Sequence, residues 1–513
     1  MLSKIYSCGL YGIDGFEVTV ECSAWDRVPR FELVGLPDAA VKEAKNRVQS
    51  ACENSGIPFP SLDIMINLAP ANRKKEGSGF DLAILCAILQ SDGIIPSSFD
   101  FSDKCFIGEL SLSGEVRGVK GVLSMCLAAR SAGKKKIFVP YENAGEASVT
   151  DGAEIYGVKN VRELIMHLKG ETVIAPTIFD MKIFEAGSSM FGMDFADVKG
   201  QAKAKRALEI AAAGGHNVLL IGPPGTGKSM LAKRIPTILP PLAFEEAIET
   251  TKLHSVAGIL PEGVSLLTGR PFRSPHHTLS PIALAGGGTV PMPGEISLAH
   301  NGVLFLDELP EFSKSSAEVL RQPLEDHNIT ITRATGRVTF PCSFMLVCAM
   351  NPCRCGYYGH PTRKCTCRQK DISDYLQKIS GPLLDRIDIQ IEVPSLSYDE
   401  LAAGRVEESS ESVRARVVDA RRKAVNRFKS NGDDIFSNAQ MEASHIRKYC
   451  ALSDSASSLL KNAFDKMGLS GRGYDRILRV SRTIADLDGS SGIEAKHVAE
   501  AIQLRSLDRK YWC

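Results

Sequence analysis

The sequence predicts an α/β protein in three parts: an α+β domain, a core with a parallel sheet, and a helical C-terminal region. The core is predicted because the apolar run Val218–Ile221 leads into a glycine-rich loop and then a helical segment. A second apolar run, Val303–Leu306, ends in two acidic residues. From Val413 onwards the apolar spacing is mostly helical.

The N-terminal part is predicted to be the α+β domain because strand and helix patterns alternate along it. Phe16–Glu21 and Asp63–Leu68 have the pattern of strands, whereas Ala39–Ser55 and Phe80–Leu89 have helical spacing. A looser segment joins this domain to the core. The predicted divisions are residues 1–170 for the α+β domain, 171–190 for the linker, 191–395 for the core and 396–513 for a helical lid.

The loop after the first core strand predicts a phosphate-binding site. Its glycines allow backbone N–H groups to point at phosphate oxygens, and the N-terminus of the next helix favours an anion. We expect Lys228 to reach the β- and γ-phosphates and Ser229 to bind Mg²⁺. The pattern therefore predicts ATP and Mg²⁺ as ligands of the loop Gly222, Pro223, Pro224, Gly225, Thr226, Gly227, Lys228 and Ser229.

The two acids after the second core strand complete this predicted site. Asp307 ends a buried strand at the edge of the sheet, where a carboxylate can hold Mg²⁺ through water. Glu308 follows it and is the candidate general base for the attacking water. Without the phosphate loop, the pair would fit a solvated acidic turn equally well. With it, the sequence predicts ATP hydrolysis.

Three polar residues further along the chain are candidates for the catalytic machinery. Asn351 follows the apolar strand Phe344–Cys348 and is expected to contact the γ-phosphate or orient water. Arg386 is expected at a subunit edge, as an arginine finger for a neighbour's ATP. Arg472 begins a C-terminal helix and is expected to clamp ATP between core and lid. Taken alone, each arginine would also fit a surface residue or a helix cap.

These site residues together resemble those of the AAA+ ATPases. More narrowly, the chain is similar over essentially its whole length to the magnesium-chelatase-like group of YifB and ComM proteins. The motifs that carry this resemblance are Arg270–Thr278, Met350–Gly356 and Arg479–Leu487. The resemblance implies a homohexameric ring that hydrolyses ATP.

The best-understood members of this group are bacterial helicases that drive branch migration while transforming DNA is taken up and integrated. The resemblance therefore implies a motor that moves on single-stranded or branched DNA. A chelatase-type or chaperone-like ATPase that remodels protein is the main alternative, and an ATP-dependent protease is the third. Stimulation of the ATPase by DNA would separate the first two, and peptide cleavage would identify the third.

Two segments of the core are predicted to face the pore of such a ring. The glycine-rich stretch Gly286–Gly294 has the composition of a mobile loop, and Ile329–Phe340 has the alternation of a hairpin with a Thr-Gly turn. In rings of the related families, an insertion and a hairpin at these places face the pore. Arg333 and Arg337 lie near the hairpin tip and would then hold DNA phosphates without reading bases. An ordinary exposed hairpin is the alternative.

The N-terminal domain resembles the proteolytic domain of Lon-type proteases. In the matching segments the family's nucleophilic serine falls at Gly79 and its lysine partner near Leu123. Ser78 and Lys120 are out of register, and a Ser–Lys pair needs hydrogen-bond contact. We therefore expect an inactive protease domain that serves as a scaffold or guides DNA. The segments that carry this resemblance are Lys74–Asp81, Gly108–Gly114 and Ala128–Gly133.

A cluster of cysteines follows Asn351. Thiolates are soft ligands, and four of them within a short loop suit tetrahedral Zn²⁺. The alternative is four reduced cysteines, and His360 within the loop is a possible substitute ligand. The candidate zinc ligands are Cys353, Cys355, Cys365 and Cys367. Their basic neighbours suggest a second contact for nucleic acid: Arg354, Arg363, Lys364, Arg368 and Lys370.

Composition narrows the class of protein further. With 61 basic and 60 acidic side chains, the chain has no bulk positive charge, so any surface that binds nucleic acid must be local. No apolar run reaches membrane-spanning length, and no signal-peptide pattern is present. Fourteen cysteines without a secretion signal predict a cytoplasmic protein with free or metal-bound thiols and no membrane contact.

Overall fold

The structure, a computed structural model, describes residues 2–186, 192–333, 336–398, 400, 407–433, 435–505 and 507–512. The chain divides into two compact units, Met1–Ala186 with Ala243–Thr268, and Gly187–Leu242 with Gly269–Cys513. Residues 187–190 of the predicted linker and Phe191 at the start of the predicted core lie outside the described residues. The domain boundaries given above stay predictions.

The first unit contains a mixed sheet, a parallel sheet and a short hairpin. The mixed sheet has the order β1-β2-β4-β3, and the parallel sheet has the order β5-β8-β9. Burial alternates along β2 because successive side chains point to opposite faces of its sheet, against which helices pack. The strands are β1 Leu2–Tyr11, β2 Asp14–Trp25, β3 Arg30–Val34, β4 Asp63–Ala69, β5 Lys104–Phe106, β6 Glu109–Leu110, β7 Val116–Arg117, β8 Lys136–Pro140 and β9 Glu154–Val158.

The helices of the first unit include one from the middle of the chain. Phe244–Ala257 packs against Val122–Ser131, and the buried carboxylate of Glu146 accepts hydrogen bonds from Ser255 Oγ and, at 2.9 Å, from Leu123 N. Ala243–Thr268 belongs to this unit although no local pattern in that segment indicates it. The other helices are Ala39–Lys42, Ala44–Asn54, Asp81–Ser91, Ala144–Ala147, Val161–Leu168 and Met181–Ala186.

The second unit is built on the five-stranded parallel sheet that the sequence predicts for the core. Its order is β11-β14-β17-β10-β18, so the strand before the phosphate loop lies between β17 and β18. The carboxyl ends of β10, β14 and β17 therefore meet at one edge, where ligands of parallel sheets bind. The strands are β10 Val218–Ile221, β11 Phe272–Arg273, β12 Gly286–Gly287, β13 Met292–Pro293, β14 Val303–Leu306, β15 Asn328–Arg333, β16 Gly336–Pro341, β17 Met345–Met350 and β18 Ile389–Glu392.

The C-terminal helices share one hydrophobic core with this sheet. Residues such as Val417, Ile477 and Val498 belong to the same buried cluster as Leu220 and Val347 of the sheet. The helices of this unit are Ala202–Gly214, Lys228–Ile238, Pro281–Ala285, Glu295–Leu298, Lys314–Val319, Pro323–Asp326, Gln369–Leu376, Gly381–Leu384, Ser410–Lys429, Ala443–Tyr449, Asp454–Met467, Gly471–Leu487, Ala495–Gln503 and Leu507–Tyr511. Among the described residues, no helix combines the length and apolar character that a membrane crossing requires.

Candidate active site

The glycine-rich loop lies at the carboxyl end of β10 and runs directly into a helix. Gly225 and Gly227 have φ angles of 79° and 87°, which residues with a Cβ rarely adopt. Gly227 caps the helix Lys228–Ile238, so the first N–H groups of that helix point towards the loop. The backbone thus provides the anion site that the sequence predicts for phosphate.

Lys228 lies inside the curve of this loop. Its Nζ donates to the carbonyl oxygens of Gly222 and Pro223, both at 2.7 Å, and to Asn351 Oδ1 at 3.2 Å. Burial lowers the pKa of Lys228 to about 8, while the nearby Asp307 carboxylate acts in the opposite direction. The structure therefore brings the candidate residues Lys228 and Asn351 together.

Ser229 and the two acids meet at the same edge of the sheet. Ser229 Oγ donates to Asp307 Oδ2 at 2.6 Å, so two oxygen atoms of the kind that Mg²⁺ prefers lie side by side. The other oxygen of Asp307 accepts the backbone N–H of Glu308 at 2.9 Å. Glu308 has a left-handed backbone with a φ angle of 52°, an unusual conformation for a residue with a side chain. This conformation fixes the direction in which its carboxylate leaves the strand.

His277 is a residue of this site that the sequence analysis did not assign. Its Nδ1 lies 3.3 Å from Glu308 Oε2. It follows β11, whose parallel pairing with β14 brings the residues after both strands to the same edge. The signal for it in the sequence is a polar residue shortly after a short strand, within the motif Arg270–Thr278.

Arg386 lies at the opposite end of β10 from the phosphate loop. Its backbone oxygen accepts from Asn217 Nδ2 at 2.8 Å, and Asn217 directly precedes β10. The four residues of β10 span roughly 13 Å at the usual rise of a strand. The guanidinium group donates to Pro382 O at 2.6 Å and pairs with the Glu325 carboxylate. Within one chain, Arg386 is therefore not brought to the phosphate loop.

Arg472 is near Arg386 and likewise not at the phosphate loop. Its Nη1 lies 3.8 Å from Asp385 Oδ2, and two thirds of its side chain is exposed. Arg476, one turn along the same helix, reaches the other oxygen of Asp385 at 3.7 Å. The clamp between core and lid that the sequence predicts for Arg472 is not formed with the loop of the same chain, and its role stays a prediction.

The two predicted pore segments lie side by side. β12 pairs with β13, and β15 pairs with β16, with Ala334 and Thr335 of the predicted turn outside the described residues. A Cβ on Gly287 would lie only 3.0 Å from Arg333 Nη2, so the glycine stretch touches the hairpin. Arg333 pairs with Gly336 and Arg337 with Thr332. Because neighbouring pairs point to opposite faces, the two exposed arginines project from different faces of the hairpin.

The four predicted zinc ligands converge. All four sulfur atoms lie within 4.8 Å of one another, and Cys353 Sγ is 3.4 Å from that of Cys355 and 3.7 Å from that of Cys365. Desolvation raises the pKa of Cys355, but hydrogen bonds from the backbone of Tyr357 and Thr366 and from the thiols of Cys353 and Cys365 together outweigh it and lower the pKa to about 5.

His360 is not part of the cysteine cluster. Its Nδ1 accepts from the backbone N–H of Arg363 at 3.0 Å, and its Nε2 lies 3.2 Å from Ser395 Oγ. The alternative in which His360 takes the place of one cysteine as a zinc ligand is therefore wrong for this conformation. Gly356 lies against the phosphate loop, since a Cβ there would lie 2.5 Å from Pro224 Cδ. The cysteine loop is thus in contact with the candidate nucleotide site.

No Ser–Lys pair is formed at the predicted position in the described part of the first unit. Ser78 Oγ donates to the carboxylate of Glu109, and Leu123 is fully buried. Lys120 instead lies against Gly258, whose Cβ position is 2.4 Å from Lys120 Cε. Gly79 has open space where a side chain would be. The geometry agrees with an inactive protease domain, which remains a prediction.

Comparison with known proteins identifies the class. Residues 194–401 match the family described as magnesium chelatase, subunit ChlI. Residues 20–143 match the family described as subunit ChlI of Mg-chelatase. Residues 407–505 match the family described as magnesium chelatase, subunit ChlI C-terminal. These matches and the parallel sheet define an AAA+ ATPase of the magnesium-chelatase type. Membership of this class implies ATPase activity with ATP and Mg²⁺.

Two relatives narrow the class to one family. The chain is 42% identical to the competence protein ComM of Haemophilus influenzae, over 99% of this chain and 98% of the relative. It is 41% identical to the uncharacterized protein YifB of Escherichia coli, again over 99% and 98%. The chain therefore belongs to the magnesium-chelatase-like YifB/ComM family. It is also 27% identical to a Lon protease of Citrifermentans bemidjiense, over 27% of this chain and 18% of that protein.

Proposed function

We propose that this chain is an ATP-driven ring motor that moves on DNA. The observation that carries the proposal is the division of the candidate catalytic residues between the two ends of β10. Lys228, Ser229 and the acids lie at one end, and Arg386 lies at the other. A ring in which each chain supplies one half of every site would complete it, and the proposed assembly is a homohexamer.

In the proposed site each residue has one task. The loop amides and Lys228 hold the phosphates of ATP, and Ser229 and Asp307 hold Mg²⁺. Mg²⁺ would neutralise negative charge on the β- and γ-phosphates. Glu308 accepts a proton from the attacking water, and Asn351 orients that water or the γ-phosphate. Arg386 of a neighbouring chain stabilises the charge of the transition state.

The proposed contact for DNA is formed by the glycine stretch Gly286–Gly294 and the hairpin of β15 and β16. Both arginines of the hairpin are exposed, and each can contact a DNA phosphate on the face from which it projects. The relative from H. influenzae is named a competence protein, which supports a role in DNA uptake or recombination. We propose single-stranded or branched DNA as the partner, with branch migration as the outcome.

Stimulation by DNA tests this proposal. We expect the rate of ATP hydrolysis to rise when single-stranded or branched DNA is added to the full-length protein. A rate that is unchanged by DNA and rises with an unfolded or partner protein would favour the alternative, a chelatase-type ATPase that remodels protein. That alternative is retained because all three family matches are to the magnesium chelatase subunit.

Removing the hairpin arginines is expected to weaken DNA binding on every sequence about equally. In the double variant Arg333→Ala/Arg337→Ala, the slope of log K against log salt should fall by roughly one to two, because each lost phosphate contact no longer releases a counterion. Fluorescence anisotropy at several salt concentrations measures the slope. The control Lys461→Ala/Lys466→Ala removes two exposed charges from a helix and should leave it unchanged. An unaltered slope in the arginine variant would point to the basic cysteine loop instead.

We also propose that the cysteine cluster binds Zn²⁺. Four sulfur atoms at 2.3 Å from a tetrahedral zinc ion would lie about 3.8 Å apart. The distances between sulfur atoms, 3.4, 3.5 and 3.7 Å for three pairs, are close to that value. The bound ion would then hold the loop in one conformation, with the exposed basic side chains around it in fixed positions.

Purified protein is expected to contain about one zinc ion per chain. Cys365→Ser/Cys367→Ser should lose most of it, since two of four ligands are removed. Cys126→Ala, which alters a buried cysteine of the first unit, should retain the metal. Elemental analysis by mass spectrometry measures the content. Wild-type protein purified without chelators and free of zinc would refute the site.

A further inference from the structure

We propose that Asn217 is a positioning residue that holds Arg386 where it can reach the ATP of a neighbouring chain. The proposal rests on the proposed function, because the task of Arg386 is part of that function. The contact that carries it is a hydrogen bond from Asn217 Nδ2 to the backbone oxygen of Arg386 at 2.8 Å. This bond holds the peptide from which the side chain of Arg386 leaves the main chain.

The side-chain amide of Asn217 makes a hydrogen bond at each of its ends. Its Oδ1 accepts the backbone N–H of Leu346 at 2.8 Å, and Leu346 is the second residue of β17. An amide nitrogen donates and an amide oxygen accepts, so these two partners fix the orientation of the group. The side chain therefore joins the strand that ends before Asn351 to the segment that carries Arg386.

The main chain that follows Arg386 is held at the same place, but by other atoms. The backbone oxygen of Asn217 accepts from Asp388 N at 3.1 Å and from Ile389 N at 3.0 Å. The buried ring of His216 brings its Nδ1 to 3.3 Å from Asp388 Oδ2. None of these three contacts uses the side chain of Asn217. A substitution of that side chain therefore releases the peptide of Arg386 and leaves the start of the next strand in place.

Aspartate at position 217 separates the two hydrogen bonds of the amide. It is close to asparagine in size and can still accept from Leu346 N, but its carboxylate cannot donate to the carbonyl oxygen of Arg386. A catalytic group displaced by about 1 Å can lose up to about 10² in rate. In full-length Asn217→Asp we expect kcat for ATP hydrolysis to fall roughly ten- to a hundredfold. The KM for ATP should stay within about twofold, because the contacts to the nucleotide of the same chain remain.

The matched control is Asn431→Asp, which removes a hydrogen bond of the same kind elsewhere in this unit. Asn431 is exposed, and its Nδ2 donates to the backbone oxygen of Arg427 at 2.8 Å. This variant should hydrolyse ATP at the wild-type rate. The unfolding midpoint of each variant shows whether it is folded. Asn217→Ala, which introduces no charge, decides the question if Asn217→Asp is not folded.

Mixed rings distinguish the positioning of Arg386 from damage to the phosphate loop, because the substitution can be placed in either chain. In a mixture of Lys228→Ala and Arg386→Ala chains, the first supplies the arginine and the second supplies the loop. With Asn217→Asp added to the Lys228→Ala chain, the recovered rate of ATP hydrolysis should fall roughly ten- to a hundredfold. With Asn217→Asp added to the Arg386→Ala chain, it should not fall, since that chain has no arginine to position.

Two results would overturn the proposal. A recovered rate that is the same whichever chain carries Asn217→Asp means that the amide does not position the arginine. A rate that falls when the chain supplying the loop carries it means that the substitution acts on the phosphate loop. If the two single variants recover no activity together, the proposed division of the site between chains fails. Homogeneous rings then decide: Asn217→Asp should add no loss to that of Arg386→Ala, and a further loss would contradict positioning.

Discussion

Replacing Arg386 by Ala is expected to lower kcat for ATP hydrolysis by about 10³–10⁵ in a ring of identical chains. The transition state would lose the positive charge that stabilises its equatorial oxygens, while every contact to the ATP of the same chain remains. Binding of ATP to each chain should therefore change little, because Arg386 lies at the other end of β10. Steady-state kinetics and titration with a fluorescent nucleotide measure the two effects.

Mixed rings test whether Arg386 acts on a neighbour. Chains with Arg386→Ala keep an intact loop, and chains with Lys228→Ala keep an intact arginine. Where the two meet in the right order, one complete site forms, so a mixture should recover part of the activity that each variant lacks. Glu325→Gln is the matched control, since it removes only the partner of the guanidinium group and should stay active. Full activity in homogeneous Arg386→Ala rings would exclude the role.

Glu308→Gln is expected to bind ATP normally and to hydrolyse it about 10²–10⁴ times more slowly. The amide keeps the size and backbone position of the side chain but cannot take a proton from water. Asp307, Ser229 and Lys228 are untouched, so the contacts to Mg²⁺ and phosphate persist. Single-turnover hydrolysis and nucleotide binding separate the two effects.

The control for this variant is Glu311→Gln, three residues further on. Glu311 pairs with Lys378 at 3.3 Å, and its loss should leave hydrolysis near the wild-type rate. Turnover by Glu308→Gln at the rate of the wild type would remove Glu308 from the mechanism.

The sequence was sufficient for the parts of the site that depend on neighbouring residues. The loop Gly222–Ser229 and the acids Asp307 and Glu308 each follow a short apolar strand, and that local pattern predicts both the strand and the edge at which it ends. The parallel sheet of the core is confirmed in the structure. The convergence of the four cysteines also followed from spacing alone, because they occupy one short loop.

Features that depend on register or on distant pairing could not be predicted. Arg333 and Arg337 project from different faces because of the pairing between β15 and β16, and a shift of one residue would reverse this. The contact between His277 and Glu308 depends on β11 lying beside β14, which no local pattern indicates. Arg472 lies near Asp385 because of how its helix packs. The helical spacing of the segment predicts the helix but not the surface against which it packs.

The left-handed backbone of Glu308 lowers thermal stability at a position whose carboxylate is proposed to support turnover. A residue with a Cβ in this conformation costs about 1–2 kcal/mol relative to glycine, and the surrounding fold has to supply that amount. Glycine at this position would relieve the strain and remove the carboxylate at the same time. Selection for a more heat-resistant protein alone would therefore favour loss of the candidate general base at this position. This chain nevertheless has glutamate at this position, so the rest of the fold offsets the local loss of stability.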